Sequence, residues 1–565
     1  MRTLLKNAEV VNVFTGETVP ANVLIGGERI LGVGDYYTDA DADLVRDESG
    51  RFICPGFIDG HIHIESSMLL PAEFARVSVP RGTTCVVTDP HEIANVCGGA
   101  GIDFMLAASE DLPLTVYVML PSCVPATAFD EAGAILEAKD LERFYAHARV
   151  LGLAEMMDYP GVLAEKPEVM AKIAAAHAHG CRINGHAPLL SGRALDRYIA
   201  AGIGDDHECS SAGEAMERIR KGQRVMIRQG TAARNLDALL PLFEEPWASR
   251  CLLVTDDKHP ADLLESGHID AIIRRAAAAG KNPVTGIRMA TLWAAEYFGL
   301  QGIGAVAPGY TADLLVLEDL DTVKVRDVYH CGVRVAQNGR LSVQVSPMVP
   351  EALQAAVRRT FALDAMTPAD FHIDAQGRRA CRVIRQVPGE LLTEEWVTEI
   401  DFAQSNGIDI GRDILKLAVI ERHRHTGHRG LGFLAGTGLK CGAIASSVAH
   451  DAHNLIVVGA NETDMAAAAN HVRALGGGCV VVRDGEVLAE MPLPVAGLMS
   501  DGPAAVVAQQ NRLLREAAQA MGVSADSEPF MRMAFVSLPV IPHLKMTTRG
   551  LVDVGRQTYV SLFVE

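Results

Sequence analysis

The sequence predicts an α/β protein built around a TIM-like (β/α)8 barrel over residues 55–300, with a small β module before it and an α+β region over about 350–565. Three observations carry that expectation. Eight short apolar runs alternate with helical segments between residues 55 and 300, the texture of repeated βα units around a parallel sheet. Those units occupy about 245 residues, the size of one such barrel. Histidines and carboxylates recur where the runs end, on the face where barrels of this kind carry their chemistry.

The 565 residues exceed what one core organises, so two or three domains are expected. A hydrophobic content of 49% with 21% charged residues marks a globular chain rather than a disordered one. The net charge of −19 argues against nucleic acid or an anionic membrane as partner, since both select basic surfaces. Eleven cysteines without a Cys-x-x-Cys pair read as reduced thiols. The start, Met1-Arg-Thr-Leu-Leu-Lys6, lacks an apolar signal core, and no 18-residue uncharged run follows, so a cytoplasmic location is expected. The apolar content leaves room for subunit interfaces, and a homo-oligomer is expected.

Residues 1–54 read as short strands broken by glycine: Val10–Val13, Ala21–Ile25 and Arg29–Val33. The turn pair Pro55-Gly56 then opens the barrel. Its eight runs end near His63, Thr88, Leu120, Glu155, His186, His207, Arg228 and Asp256. Between them, Glu168–His179 reads as a helix closed by Gly180, and Ser211-Ala-Gly-Glu214 as a capping box opening a helix closed by Gly222. Beyond residue 350, strands such as Leu455–Val458 and Cys479–Val482 flank the helix-like Asp464–Leu475.

His61 and His63, one residue apart on a strand, point to the same face and supply two imidazoles to one metal. The pair alone is a weak signal. The strand-end rule adds Glu155, His186, His207 and Asp256, six placements on one rim. Singly each has a plain structural use, Asp256 as a helix cap for example. Together they point to a metal site of mixed oxygen and nitrogen donors, suited to Mn²⁺, Fe²⁺ or Zn²⁺.

At this point the chain resembles a family. Pro55-Gly-Phe-Ile-Asp-Gly-His-Ile-His63 is similar to the opening motif of the amidohydrolase superfamily. Ala307-Pro-Gly-Tyr-Thr-Ala-Asp-Leu-Leu-Val-Leu317 is similar to the strands that complete its split β domain. Within that superfamily, His61–Met68, Thr88–Val96, Val419–Gly427 and Gly442–Asp451 resemble the bacterial-type adenine deaminases, over nearly the whole chain. The resemblance implies a split β-sandwich of residues 1–54 plus 301–345, a metal-dependent barrel over 55–300 and a C-terminal α+β domain over 350–565. It implies two divalent ions, Mn²⁺ or Fe²⁺ by family expectation. His61, His63 and Asp256 would hold the more buried ion, His186 and His207 the second, and Glu155 would bridge them. Many relatives bridge with a carboxylated lysine, but Leu153-Ala-Glu-Met-Met157 contains none.

The implied reaction is the hydrolytic deamination of adenine, with water activated between the ions adding to C6 to give hypoxanthine and ammonia. Asp256 would shuttle the proton. The segment Asp89-Pro-His91-Glu92 offers a further acid–base pair, or else a turn with Glu92 at a helix N-terminus. Glu65 continues the His61–His63 period and either contacts the purine or supports a ligand histidine. Arg228 and Gln229 either hydrogen-bond the base or, for the arginine, form an inward ion pair. A rival on the same barrel is hydrolysis of a cyclic amide or N-acyl substrate. The His-Ala-Gly-Glu hallmark of adenosine deaminases is absent, since His186 is followed by Ala187-Pro188-Leu189. His423, His425, His428, His450 and His453 read as docking or lid contacts in preference to a second metal site.

Overall fold

In the computed structural model, which describes residues 1–564 except 232, 389–391, 404 and 526, eight parallel strands run around one axis. They are Phe57–Ile62, Thr83–Thr88, Thr115–Leu120, Val150–Met156, Arg182–Gly185, Asp205–Asp206, Arg224–Arg228 and Cys251–Val254. Each ends within two residues of the position read from the sequence. The first five pair in chain order in one sheet and the last three in another. Two seams join them. The Gly204 N–H donates to the Ile183 carbonyl at 2.9 Å, and the Asp256 N–H donates to the His61 carbonyl at 3.0 Å, beside an Ile62–Asp256 bridge.

The strands are buried on both faces, which is why they read as continuous apolar runs rather than alternating ones; all six residues of Thr83–Thr88 are inaccessible. The sixth strand departs from that pattern. It is two aspartates long, and hydrogen bonding stands in for apolar packing. Asp205 Oδ1 accepts the Gly185 N–H at 2.9 Å. A Cβ at Gly185 would lie 2.1 Å from the Asp205 carbonyl oxygen, so this close approach requires glycine. Asp206 Oδ2 accepts from Arg218 Nε at 2.8 Å, with neither side chain exposed, and Arg218 Nη2 reaches the Ala187 carbonyl at 2.7 Å.

The helix Pro167–Ala178 opens on proline and is stopped by Gly180 at φ +66°. Ala212–Arg220 is capped by Ser211, whose hydroxyl accepts the Glu214 N–H at 3.3 Å. The expected reciprocal box does not close. The Glu214 carboxylate instead accepts from the backbone of Ser210 and Leu189, tying this helix to the loop after strand five.

Flanking the barrel, Phe52–Pro55 pairs parallel with Arg2–Asn12 and antiparallel with Leu314–Leu317. The chain therefore enters and leaves the barrel through one nine-stranded sheet, whose own core includes Val10, Val23, Ile53, Leu314 and Val316. Farther on, an eight-stranded sheet spans Ala380–Gln386 to Glu486–Pro492 and packs against Glu462–Leu475. One apolar cluster runs from Phe57 and Leu253 in the barrel to Leu415, Ile456 and Leu514, so this sheet is fused to the barrel rather than tethered to it.

Breaking the Arg218–Asp206 pair leaves a buried carboxylate without its cation beside His207. The Arg218→Met protein should lose about 3 to 5 kcal/mol of stability. Differential scanning calorimetry should register this as a lowered transition; an unchanged one would show the pair to be dispensable.

Candidate active site

The strand ends deliver their polar residues to one rim. His61, the penultimate residue of strand one, and His63, just past its end, are 2% and 3% exposed. His63 Nδ1 faces the Asp89 carbonyl at 3.0 Å. A carbonyl only accepts, so the proton sits on Nδ1 and Nε2 is left free as a ligand. That Nε2 lies 3.3 Å from Asp256 Oδ1 and 3.4 Å from Glu155 Oε1. His61 Nε2 is buried without a hydrogen-bond partner, 3.8 Å from the same Asp256 oxygen.

Glu155 stands between two sets of imidazoles. Its Oε1 faces His63 and, at 3.6 Å, His91 Nδ1; its Oε2 faces His186 Nδ1 at 2.7 Å and His207 Nε2 at 3.1 Å. Asp256, held at φ +59°, turns Oδ2 to Arg228 Nη1 at 2.6 Å and leaves Oδ1 to the histidines. Burial would raise the Glu155 and Asp256 carboxyls, yet His186 beside the first and Arg228 beside the second hold both well below the usual range. Burial likewise disfavours charge on His63 and His207, and the carboxylates lift both well above the ordinary imidazole value. His61, buried and flanked by His207 and His63, is held neutral. The rim's buried carboxylates thus favour positive charge beside them, on these imidazoles or on bound cations.

The residues fit divalent ions. An orphaned imidazole nitrogen on His61, a two-sided carboxylate on Glu155 and purely nitrogen and oxygen donors make ligand groups, among them His61–His63–Asp256 and His61–Glu155–His207. His63, Glu155, His186, His207 and Asp256 line a cavity of about 460 Å³, with His61 behind them.

Some expected residues lie elsewhere. Glu65 does not continue the strand face, because the strand stops at Ile62 and Glu65 sits on the 3-10 turn Ile64–Ser67. It is buried off the large cavity, its Oε1 accepting the Ile93 N–H at 3.3 Å, and burial pushes its carboxyl up to about 7. Gln229 also falls outside the cavity lining; its N–H continues the ladder to the Val254 carbonyl at 3.1 Å. Arg228 lines the cavity but is clamped by Glu208 as well as Asp256, the inward ion pair of the two readings.

His91 faces the cavity, while Glu92 turns to the C-terminal region. His450 Nδ1 lies 2.8 Å from Glu92 Oε1, and His453 Nε2 bonds Glu92 Oε2. His453 Nδ1 accepts the Ala449 N–H at 3.2 Å, so its Nε2 carries the proton and donates to Glu92. That tautomer leaves the His453 ring no free lone pair, and the trio ties the barrel to the C-terminal region. His423, His425 and His428 do not join it: they contact the Ala452 carbonyl, Asp364 and Glu131 respectively.

Sequence reasoning missed Glu208, 3.4 Å from His207 Nε2 and 3.6 Å from His186 Nδ1, and it missed Asp451, which lines the cavity from the C-terminal region. Glu208 follows directly after a strand-end histidine and was within reach of the same rule. Asp451 had no such signal.

Residues 52–339 match the family described as "Amidohydrolase family", and residues 390–558 match "Adenine deaminase C-terminal domain". The chain is 48% identical over 555 residues to "Adenine deaminase 2" of Carboxydothermus hydrogenoformans, covering 98% of this chain and 95% of that one. It is 47% identical to "Adenine deaminase" of Desulfatibacillum aliphaticivorans (99% and 97%) and 43% identical to that of Geobacillus kaustophilus (99% and 96%). With a metal-ligand-type donor set on the barrel rim and likeness at this level over nearly the whole length, the chain belongs to the adenine deaminase family of amidohydrolases.

Proposed function

We propose that this chain hydrolyses adenine to hypoxanthine and ammonia at a centre of two divalent ions. The observation that carries the reading is Glu155, whose two oxygens face separate pairs of histidines at the floor of the cavity. The nearly full-length likeness to proteins named adenine deaminase favours this substrate over a cyclic amide or an N-acyl compound.

His61, His63 and Asp256 would hold one ion, His186 and His207 the other, and Glu155 both. Mn²⁺ or Fe²⁺ is the family expectation, and the donor set also suits Zn²⁺. Such ions, when bound, lower the pKa of a coordinated water towards neutrality. The chain's own residues do the rest. Arg228 fixes Asp256 through Oδ2 and keeps it ionised, so Oδ1 is the edge that takes a proton from the attacking water and returns it to the departing ammonia. Glu208 holds Arg228 in place from its other side. Phe535, Leu538 and Ile541 cover the cavity and limit water access.

We read the chain as three parts: 1–54 with 301–345, the barrel 55–300, and 350–565. No helix among the described residues is long and apolar enough to cross a membrane. The cysteines among the described residues are free, which supports a reducing, cytoplasmic setting; a role in purine metabolism follows from the proposed reaction.

Three outcomes test this reading. Adenine should be turned over far better than adenosine; comparable kcat/KM for the two would refute the free-base assignment. The Glu155→Gln protein should retain fewer than two ions per chain after dialysis, read by elemental analysis, because each ion loses an oxygen donor. The Asp256→Asn protein should keep most of its metal but lose about 10² to 10⁴ in kcat, roughly 3 to 5 kcal/mol of barrier. Near-normal kcat with metal bound would make Asp256 structural and move the shuttle to another carboxylate.

A further inference from the structure

Among the cavity's carboxylates, Asp451 stands apart. Glu155, Asp256 and Glu208 are committed to the histidines and Arg228, Asp257 Oδ1 accepts from the Ser66 hydroxyl at 2.6 Å, and Glu92 is held by His450 and His453. Asp451 is 3% exposed, and its Oδ2 has no hydrogen-bond partner among the described residues. Its nearest basic neighbours face Oδ1 and stand off: His450 Nδ1 at 3.8 Å and His91 Nε2 at 4.0 Å. A buried carboxylate oxygen left without a donor is costly, so such an atom in a cavity wall marks the place of a ligand N–H or O–H.

Asp451 is also held firmly. Its loop is tied to the barrel through His450 and His453 on Glu92, and to the C-terminal region through the His450 N–H on the Ala534 carbonyl at 3.0 Å. The His450 ring stacks on Phe535 at 4.3 Å between centroids. Little reorganisation is needed for Oδ2 to receive a donor.

We propose that Asp451 accepts the imidazole-ring N–H of the purine and thereby selects the free base over its N9-substituted forms. The inference rests on the adenine reading above. Adenine has only two kinds of N–H donor, the 6-amino group and one ring N–H. The amino group must lie where C6 reacts, beside Glu155 and Asp256. Asp451 is separated from Glu155 by the whole His91 ring, whose Nδ1 is 3.6 Å from Glu155 Oε1 and whose Nε2 is 4.0 Å from Asp451 Oδ1. The donor within reach of Asp451 is therefore the one on the far ring, where a nucleoside carries its sugar.

The test compares adenine with 7-aminooxazolo[5,4-d]pyrimidine, which has a ring oxygen in place of N9–H and nearly the same shape. A site built to pair a buried acceptor with an N–H discriminates strongly against an isostere lacking it. For the metal-loaded wild-type enzyme, kcat/KM for adenine should exceed that for the isostere by at least about 100-fold. In the Asp451→Asn and Asp451→Ala proteins adenine should lose at least about 10-fold, while the isostere changes little, so that the ratio collapses. Equal turnover of the two compounds by wild type overturns the proposal without any variant. An equal fall for both compounds in the variants also overturns it, since a merely structural Asp451 would act on both alike. Wild-type protein that releases no ammonia from adenine would instead defeat the adenine reading itself.

Discussion

Glu155 must remain an anion in a place almost without water, and the arrangement around it follows from that constraint. A carboxylate 4% exposed at the floor of a barrel is tolerable only if positive charge or hydrogen-bond donors meet both oxygens. His63 and His91 meet one, and His186 and His207 the other, each arriving from a different strand end or the loop after it. Eight parallel strands closing around one axis are what let such distant stretches of chain share a carboxylate. The same need for balance recurs one layer out, where Arg228 stands between Glu208 and Asp256, and again where Glu92 is met by two histidines of the C-terminal region.

The sixth strand shows how closely fold and site are coupled. With two aspartates in place of an apolar run, it is fixed by Gly185, Arg218 and Tyr297 rather than by packing, and Tyr297 bonds Asp205 directly. Its next residue is His207. The orientation of one donor on the rim, the His207 ring stacked 4.4 Å from His61, is set by buried polar contacts behind it.

Much of the barrel was legible because doubly buried strands leave continuous apolar runs and the rim residues sit at their ends. His61, His63, Glu155, His186, His207 and Asp256 could be collected by that rule alone, since strand-end position determines where a side chain points. Glu65 could not. The strand breaks into a 3-10 turn at Ile64–Ser67, where the Glu65 carboxylate accepts the Ile93 N–H from the next βα unit, a contact the local pattern does not show. Of the two readings of Glu92, the helix N-terminal one fits its place in the first turn of His91–Cys97, but its clamp by His450 and His453 was not foreseen, because those partners lie more than 350 residues away in sequence. His450 and Asp451 are close to the barrel only through docking, and nothing periodic announces docking. The Ser211 cap was readable, but the reciprocal bond from Glu214 was lost to Ser210 and Leu189, a competition that only the tertiary structure displays.

The clamp on Glu92 has a consequence for the order in which this molecule comes into being. Synthesis releases every strand-end residue of the barrel before His450, Asp451 or Phe535 exists. A nascent barrel can assemble its ring of histidines early, yet Glu92 stays without its two imidazole partners until the chain has passed residue 453, and the mouth stays open to bulk water until it has passed residue 535. The enclosed reaction chamber is therefore among the last features to form. An interrupted product would carry the donor set without the walls that give it a shielded interior.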